Sequence, residues 1–280
     1  MNKVMKNQVF DWSRFVQALR KEVVENGRQL LLAVLVTYGT LTMLMLLGNW
    51  MSSGDESPES IHLRYTFIFA AAGIATSAMA SLAFRGLMTK TGRVELLTSP
   101  SSMTEKFAVN VVVYGLGYLV AFVVAAQLAD LTRVAVLWFA RSSSLIVPGP
   151  INFLCTVQEM GDNFSPRLAY QSLFTVSLYL SLLANPGLYM LGSVLWPRIS
   201  FLKTCAAVYV VQAVVMIVGL IVINGMGSFQ DFVMSVVDSM KNGGFSIFML
   251  ESVALQVVLY WVLAWVVFHR KDVISKGMFH

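Results

Sequence analysis

LRYTFIFAAAGIATSAMASLAF (Leu63 to Phe84), RGLMTKTGRVELLTSPSSMTEK (Arg85 to Lys106) and FAVNVVVYGLGYLVAFVVAAQLA (Phe107 to Ala129) follow one another without a break. Each outer stretch reaches the roughly 20 apolar residues that a helix needs to cross the hydrocarbon core of a bilayer. The middle stretch carries Arg85, Lys90, Arg93, Lys106, Glu95 and Glu105 in a chain that is only 12% charged. A polar stretch between two apolar ones is the pattern of two membrane-spanning helices joined outside the lipid.

The pattern extends along the whole chain of 280 residues, which is 57% hydrophobic, with a mean hydropathy of +0.70. That is too apolar for one soluble domain. Further apolar stretches run over Leu30 to Met51, Leu168 to Trp196, Lys203 to Asn224 and Phe248 to Phe268. The expected fold is all-α: a single polytopic domain over residues 1–280, with six transmembrane helices in a bundle over 30–268. Residues 1–29 and 269–280 form cytoplasmic tails, and residues 85–106 form a cytoplasmic loop. The first stretch is not a cleavable signal, because a long charged tail precedes it.

Charge gives the orientation. With six spans, fifteen of the twenty Lys and Arg fall on the side of the two tails, the 85–106 loop and the turn with Arg198 and Lys203. The other side holds nine of the fifteen acids, among them Asp55, Glu56 and Glu59. Cytoplasmic segments retain the positive charge, so both termini and the 85–106 loop are expected in the cytoplasm. The net charge of +5 thus reports topology. No basic stripe with interleaved aromatics points to nucleic acid. Cys155 and Cys205 fall in an outward segment and in the fifth span, which implies no disulfide framework.

Before the first span, Trp12, Phe15, Val16, Leu19 and Val23 recur at helical spacing after a capping residue at Asp11. This predicts an interfacial elbow helix with Gly27 near its turn into the membrane. In the second span Gly73, Ser77 and Ser81 recur every fourth residue and predict close packing inside the bundle. Pro186 predicts a kink in the fourth span. Two outward segments stand out. Asp130 to Arg167 is apolar but broken by Pro148, Gly149 and Pro150, and Ser228 to Gly243 reads as an amphipathic or re-entrant helix before the last span.

Catalytic constellations are missing from the sequence. His62, His269 and His280 do not form a zinc motif, and no nucleophile elbow, acid pair or phosphate-cradling GxxxxGK[ST] occurs. No cofactor is implied, and the chain is not expected to be an enzyme. Asp130 and Glu251 fall near the outward ends of spans, where water reaches them, while Asn110, Gln127, Gln171, Gln212 and Gln256 read as interhelical hydrogen-bond glue. With so little buried charge, energy for any transport must come from outside the chain. The 85–106 loop is the place for it to enter: Ser102 and Glu105 make a capping box behind Pro100, and Gly92 to Leu97 mixes charge with apolar residues as a docking helix does.

The elbow helix, six spans, charged loop after the second span and short amphipathic element before the last resemble the permease subunits of type-two ABC exporters. FRGLMTKTGRVELLTSPSSMTEKF, the following span ending QLADL, and GSVLWPRISFLKT narrow the likeness to a group of bacterial permease-like membrane proteins. The resemblance implies that the 85–106 loop contacts a separate ABC ATPase, here through Arg93, Glu95, Glu105 and Lys106. It also implies a homodimer or a pseudo-dimer with a second permease, and a translocation path between subunits. A non-transporting membrane scaffold or immunity-type protein, working through its outward segments, is the alternative reading.

Overall fold

A computed structural model describes residues 10–51, 58–139, 168–226, 234–235, 238–239 and 244–270. The described residues are helical throughout their ordered elements and contain no strand. Five helices are long and apolar enough to cross a membrane, and Thr66–Ala80 forms a shorter apolar helix. The expected helix over Ser228 to Gly243 lies outside the described residues except for 234–235 and 238–239, which are helical, and so does residue 140 onward to 167.

Helix α1, Trp12–Met51, is one unbroken element of 40 residues, about 60 Å long at 1.5 Å per residue. Asp11 caps it, its carboxylate accepting from the Ser13 N–H at 2.8 Å. The elbow expected to turn at Gly27 is therefore corrected: the interfacial helix and the first span are one rod. A single glycine costs a helix only about 1 kcal/mol, and no proline accompanies it. The N-terminal half also has a surface to lie on, because Phe15 is buried and Leu19 packs against the core at one end of the bundle.

Helix α2, Pro58–Ala80, buries one face and leaves Phe67 and Ile74 exposed on the other. Ala72, Thr76 and Ala80 are completely buried, Ser77 and Ser81 nearly so. They pack against α1, the third span and the fourth, which is the interior placement that the small-residue spacing predicts. After Ala80 the chain tightens into successive i to i−3 turns, ending in a 3-10 turn at Arg85–Met88. Helix α3, Lys90–Thr98, follows. The helix of the third span is then assembled from α4, Met103–Asn110, whose first turn up to Lys106 still belongs to the polar loop, a π-helical turn at Val111–Gly117, and α5, Tyr118–Phe139.

That third span runs well past Ala129, which overturns the expected position of Asp130. Its carboxylate is 2% exposed and accepts from Arg133 Nε at 2.8 Å, with Arg133 itself fully buried. It is an internal ion pair one helical turn apart, not a solvated end. The helix continues because residues 130–139 carry neither proline nor glycine.

Helix α6, Leu168–Leu195, passes through Pro186. Proline leaves the Leu182 carbonyl without its helical donor, and one residue further on the indole Nε1–H of Trp261 on α8, Gly244–Arg270, donates to the Leu183 carbonyl at 3.1 Å. The Trp261 ring fits because two glycines face it. A Cβ on Gly187 would meet the ring at 3.0 to 3.1 Å, and one on Gly115, in the π turn, at 3.2 Å. Trp261→Phe removes the donor and is expected to lower stability by about 1 to 2 kcal/mol, while Trp261→Ala opens a void and costs about 3 to 5 kcal/mol. Thermal unfolding in detergent checks both, and an unchanged midpoint for Trp261→Phe would count against the indole bond.

One end of the bundle collects the segments that the charge count places together. Phe84, after α2, Phe107, at the start of the third span, and Phe268, at the end of α8, form an aromatic cluster with centroids 4.7 to 6.0 Å apart. Phe15 and, at the end of α6, Val194 are buried in the same core. A second core, including Leu41, Ile68, Phe122 and Leu182, fills the other half. Helix α7, Ser200–Met226, leans on α6 and, among the described residues, has a largely exposed surface. Tyr209, Val215, Met216 and Ile221 are each more than 60% exposed.

Candidate functional site

The loop predicted to carry function is a folded element clamped to α1. Its first part turns on Thr89, whose hydroxyl accepts from the Gly92 N–H at 3.1 Å and caps α3. Gly92 is required by close approach: a Cβ there would lie 3.0 Å from the carbonyl carbon of Gly86. Ser99, Pro100 and Ser101 then reverse the chain into α4.

The capping box predicted from S-x-x-E is present. Ser102 Oγ accepts from the Glu105 N–H at 3.2 Å, and Glu105 Oε2 accepts from the Ser102 N–H at 2.7 Å. The other oxygen does a second job that the motif does not announce. Glu105 Oε1 accepts from the Asp11 N–H at 2.7 Å and pairs with Arg14 Nη2 at 3.1 Å. One carboxylate thereby caps α4 and holds the start of α1, and it is completely buried. Burial works against its charge, but the Ser102 and Asp11 N–H groups and the Arg14 guanidinium hold the carboxyl below the usual carboxylate range.

Two further ties follow. Glu95 Oε1 accepts from Lys21 Nζ at 2.6 Å, with Glu25 of α1 also within 3.7 Å of that ammonium. The bond to Glu95 is the main reason the Lys21 ammonium is held above its ordinary range. Lys106 Nζ donates to the carbonyls of Leu96 and Ser99, at the C-terminal end of α3, where carbonyl dipoles favour a cation. Burial nonetheless pulls the Lys106 ammonium below its ordinary range.

Of the four residues expected to meet a partner, two are turned into the loop and a third is held by α1. Glu105 and Lys106 hold the loop's own fold, and Glu95, though half exposed, is engaged by Lys21. Arg93 is partly exposed and, among the described residues, makes no ion pair. Its neighbours Lys90 and Val94 are exposed, so the outer surface of the loop is the Lys90, Arg93 and Val94 face of α3. Sequence reading missed Asp11, Arg14 and Lys21 as the loop's partners. The signal was the run of charges before the first span, but nothing in one dimension pairs residue 14 with residue 105.

The glutamines expected as glue divide differently. Gln212 and Gln256 are exposed on α7 and α8, and among the described residues neither meets a hydrogen-bond partner. They are not glue within this chain, because the helix faces that carry them point away from the bundle. Among the described residues no group of three or more His, Cys, Asp or Glu could hold a metal ion.

Comparison of the chain with profiles of protein families, with curated proteins and with solved structures returned no match. What the fold and composition define is a polytopic, all-helical protein embedded in a membrane, with a rigid polar platform at one end.

Proposed function

We propose that this chain is the non-catalytic, membrane-spanning subunit of an ATP-driven ABC exporter in a bacterial inner membrane, with six spans and both termini in the cytoplasm. The observation that carries this reading is the clamp. A loop joined to α1 by Glu105 and Glu95, and running directly into the third span, is built to pass a mechanical push into two spans at once. In this mechanism a separate ABC ATPase docks on the Lys90, Arg93 and Val94 face. ATP-driven closure of two such partners then tilts α1 together with the third span and rocks paired bundles between two states. Glu105 and Lys106 act as positioning residues that keep α3 rigid, and Arg93 makes the direct contact.

A second permease subunit, identical or similar, covers the exposed faces of α1 and α7. Gln212, exposed on an apolar helix of mean length for a crossing, is the sort of polar group that lipid penalises and a neighbouring helix satisfies.

Affinity purification of the tagged chain from its native membranes, followed by mass spectrometry, tests the proposal. Recovery of an ABC ATPase that drops at least tenfold with Arg93→Glu combined with Val94→Asp is the expected result, since loss of about 1.4 kcal/mol is a tenfold change. Undiminished recovery from the double variant, or no such ATPase with the wild-type chain, would sink it.

A further inference from the structure

Behind the loop lies a cavity of about 630 Å³, between α3, the first half of α1 and the start of the third span. Helical spacing builds its polar wall. Glu22, Asn26 and Gln29 fall on one face of α1, and Lys106, Asn110 and Tyr114 recur every fourth residue on the facing helix. Leu30 and Ala33, further along the same face of α1, and Met79 and Leu82 supply the apolar lining.

The charges of this cavity are not matched to one another. Lys21 is taken by Glu95 and Glu25. Arg85 meets the neutral Gln29, its Nη1 donating to Oε1 at 3.1 Å, and Lys106 meets only backbone carbonyls. Glu22 accepts from two neutral donors, the Tyr114 hydroxyl at 2.9 Å and the Asn26 amide at 2.8 Å. Among the described residues, none of these three ions has an opposite charge within ion-pair distance. Beside an apolar wall, such ions gain more from an added counter-charge than they would in water. The cavity also sits where the polar half of α1 gives way to the apolar half at Leu30, which is the depth of a phospholipid headgroup.

We propose that this cavity binds the headgroup of an amine-bearing phospholipid. Its phosphodiester lies toward Arg85 and Lys106, its ammonium toward Glu22, and its glycerol and first acyl carbons over Leu30, Ala33 and Leu82. The volume falls within the roughly 300 to 1,000 Å³ typical of small-ligand sites. A bound headgroup adds a further link between the loop and α1. The inference needs no ATPase and stands apart from the exporter reading.

Native mass spectrometry of the full chain, exchanged into an equimolar mixture of phosphatidylethanolamine, phosphatidylglycerol and phosphatidylcholine, provides the test. The wild-type chain is expected to retain one phosphatidylethanolamine in preference to the others. Arg85→Gln is expected to cut total phospholipid retention at least tenfold. Gln29→Glu, which leaves Arg85 in place but gives it a carboxylate partner, is expected to do the same. Glu22→Gln is expected to keep phospholipid while losing the preference for the amine. Soluble glycerophosphoethanolamine is expected to displace little of the lipid. Equal retention by wild type and both Arg85-directed variants would overturn the site. So would a wild-type chain without lipid preference, and complete displacement by the soluble headgroup would assign the cavity to a free phosphoester instead.

Discussion

Glu105→Ala is expected to release the N-terminal half of α1 from the loop and to lower stability by about 1 to 3 kcal/mol, the usual effect of leaving buried donors without their acceptor, because Arg14 is 38% exposed and its attraction to Glu105 is partly screened by solvent. Three donors lose their acceptor at once: the N–H of Ser102, the N–H of Asp11 and the guanidinium of Arg14. Hydrogen exchange localises the effect. Amides of 12–26 should exchange faster by a large factor, while those of the second core around Leu41 and Phe122 keep their protection. Uniform loss across all helices would instead mean global unfolding and would remove the clamp as a separate unit. Glu105→Gln keeps an acceptor but not the charge, so an intermediate effect is expected.

The same carboxylate sets a pH dependence. Its pKa in the folded chain lies below the ordinary value of 4.5. A depressed carboxyl adds stability above its unfolded pKa and gives that stability up as pH falls through the folded one. Protection of 12–26, corrected for intrinsic exchange, should therefore be flat from about pH 7 to pH 5 and fall below about pH 4. In Glu105→Gln this fall should be absent. The reading has a direct bearing on coupling: reversing charge at Glu105 would disturb the loop's own fold, whereas Arg93 and Val94 probe a partner without doing so.

Gly192→Ala is expected to prise α7 from α6. A Cβ at Gly192 would sit 2.9 Å from both Thr204 Cβ and Cγ2, with Oγ1 closer still. Thr204 cannot swing aside. It is β-branched, nearly fully buried, and its hydroxyl donates to the Ser200 carbonyl at 2.8 Å. Overpacking of this kind costs about 1 to 3 kcal/mol in a well-supported core. Helix α7 has little support beyond α6, through this contact, the Tyr189–Cys205 hydrogen bond at 3.0 Å and the stacked rings of Tyr189 and Phe201. Apolar burial provides no net drive between helices in lipid, so close packing has to hold them. In a Cys155→Ser background, the thiol labelling rate of Cys205 should rise several-fold with Gly192→Ala. Thr204→Gly in the same chain should restore it. An unchanged rate would show that the α6–α7 contact tolerates a methyl group.

Legibility followed the physics of each feature. The capping box at Ser102 and Glu105, the cap at Asp11 and the buried small-residue face of α2 were readable because each depends on residues within one or two helical turns. The elbow was not readable. Periodicity shows that residues 12–23 form a helix, but a glycine that permits a bend does not require one. Asp130 was misplaced for a related reason. Hydropathy marks where a span becomes polar, and an i, i+3 partner such as Arg133 lets the helix carry a charge past that point.

What the sequence determined by itself is the class of protein, helical and embedded in a membrane, because the length of an apolar run and the cost of an unpaired backbone in lipid are local quantities. Only the tertiary structure decided that Glu105 belongs to Arg14 and Asp11, that Glu95 belongs to Lys21, and that Lys90 and Val94 stand on the exposed face of the loop. Those pairings join residues more than seventy positions apart. They are set by how the rod of α1 lies across the loop, a packing geometry with no periodic trace along the chain.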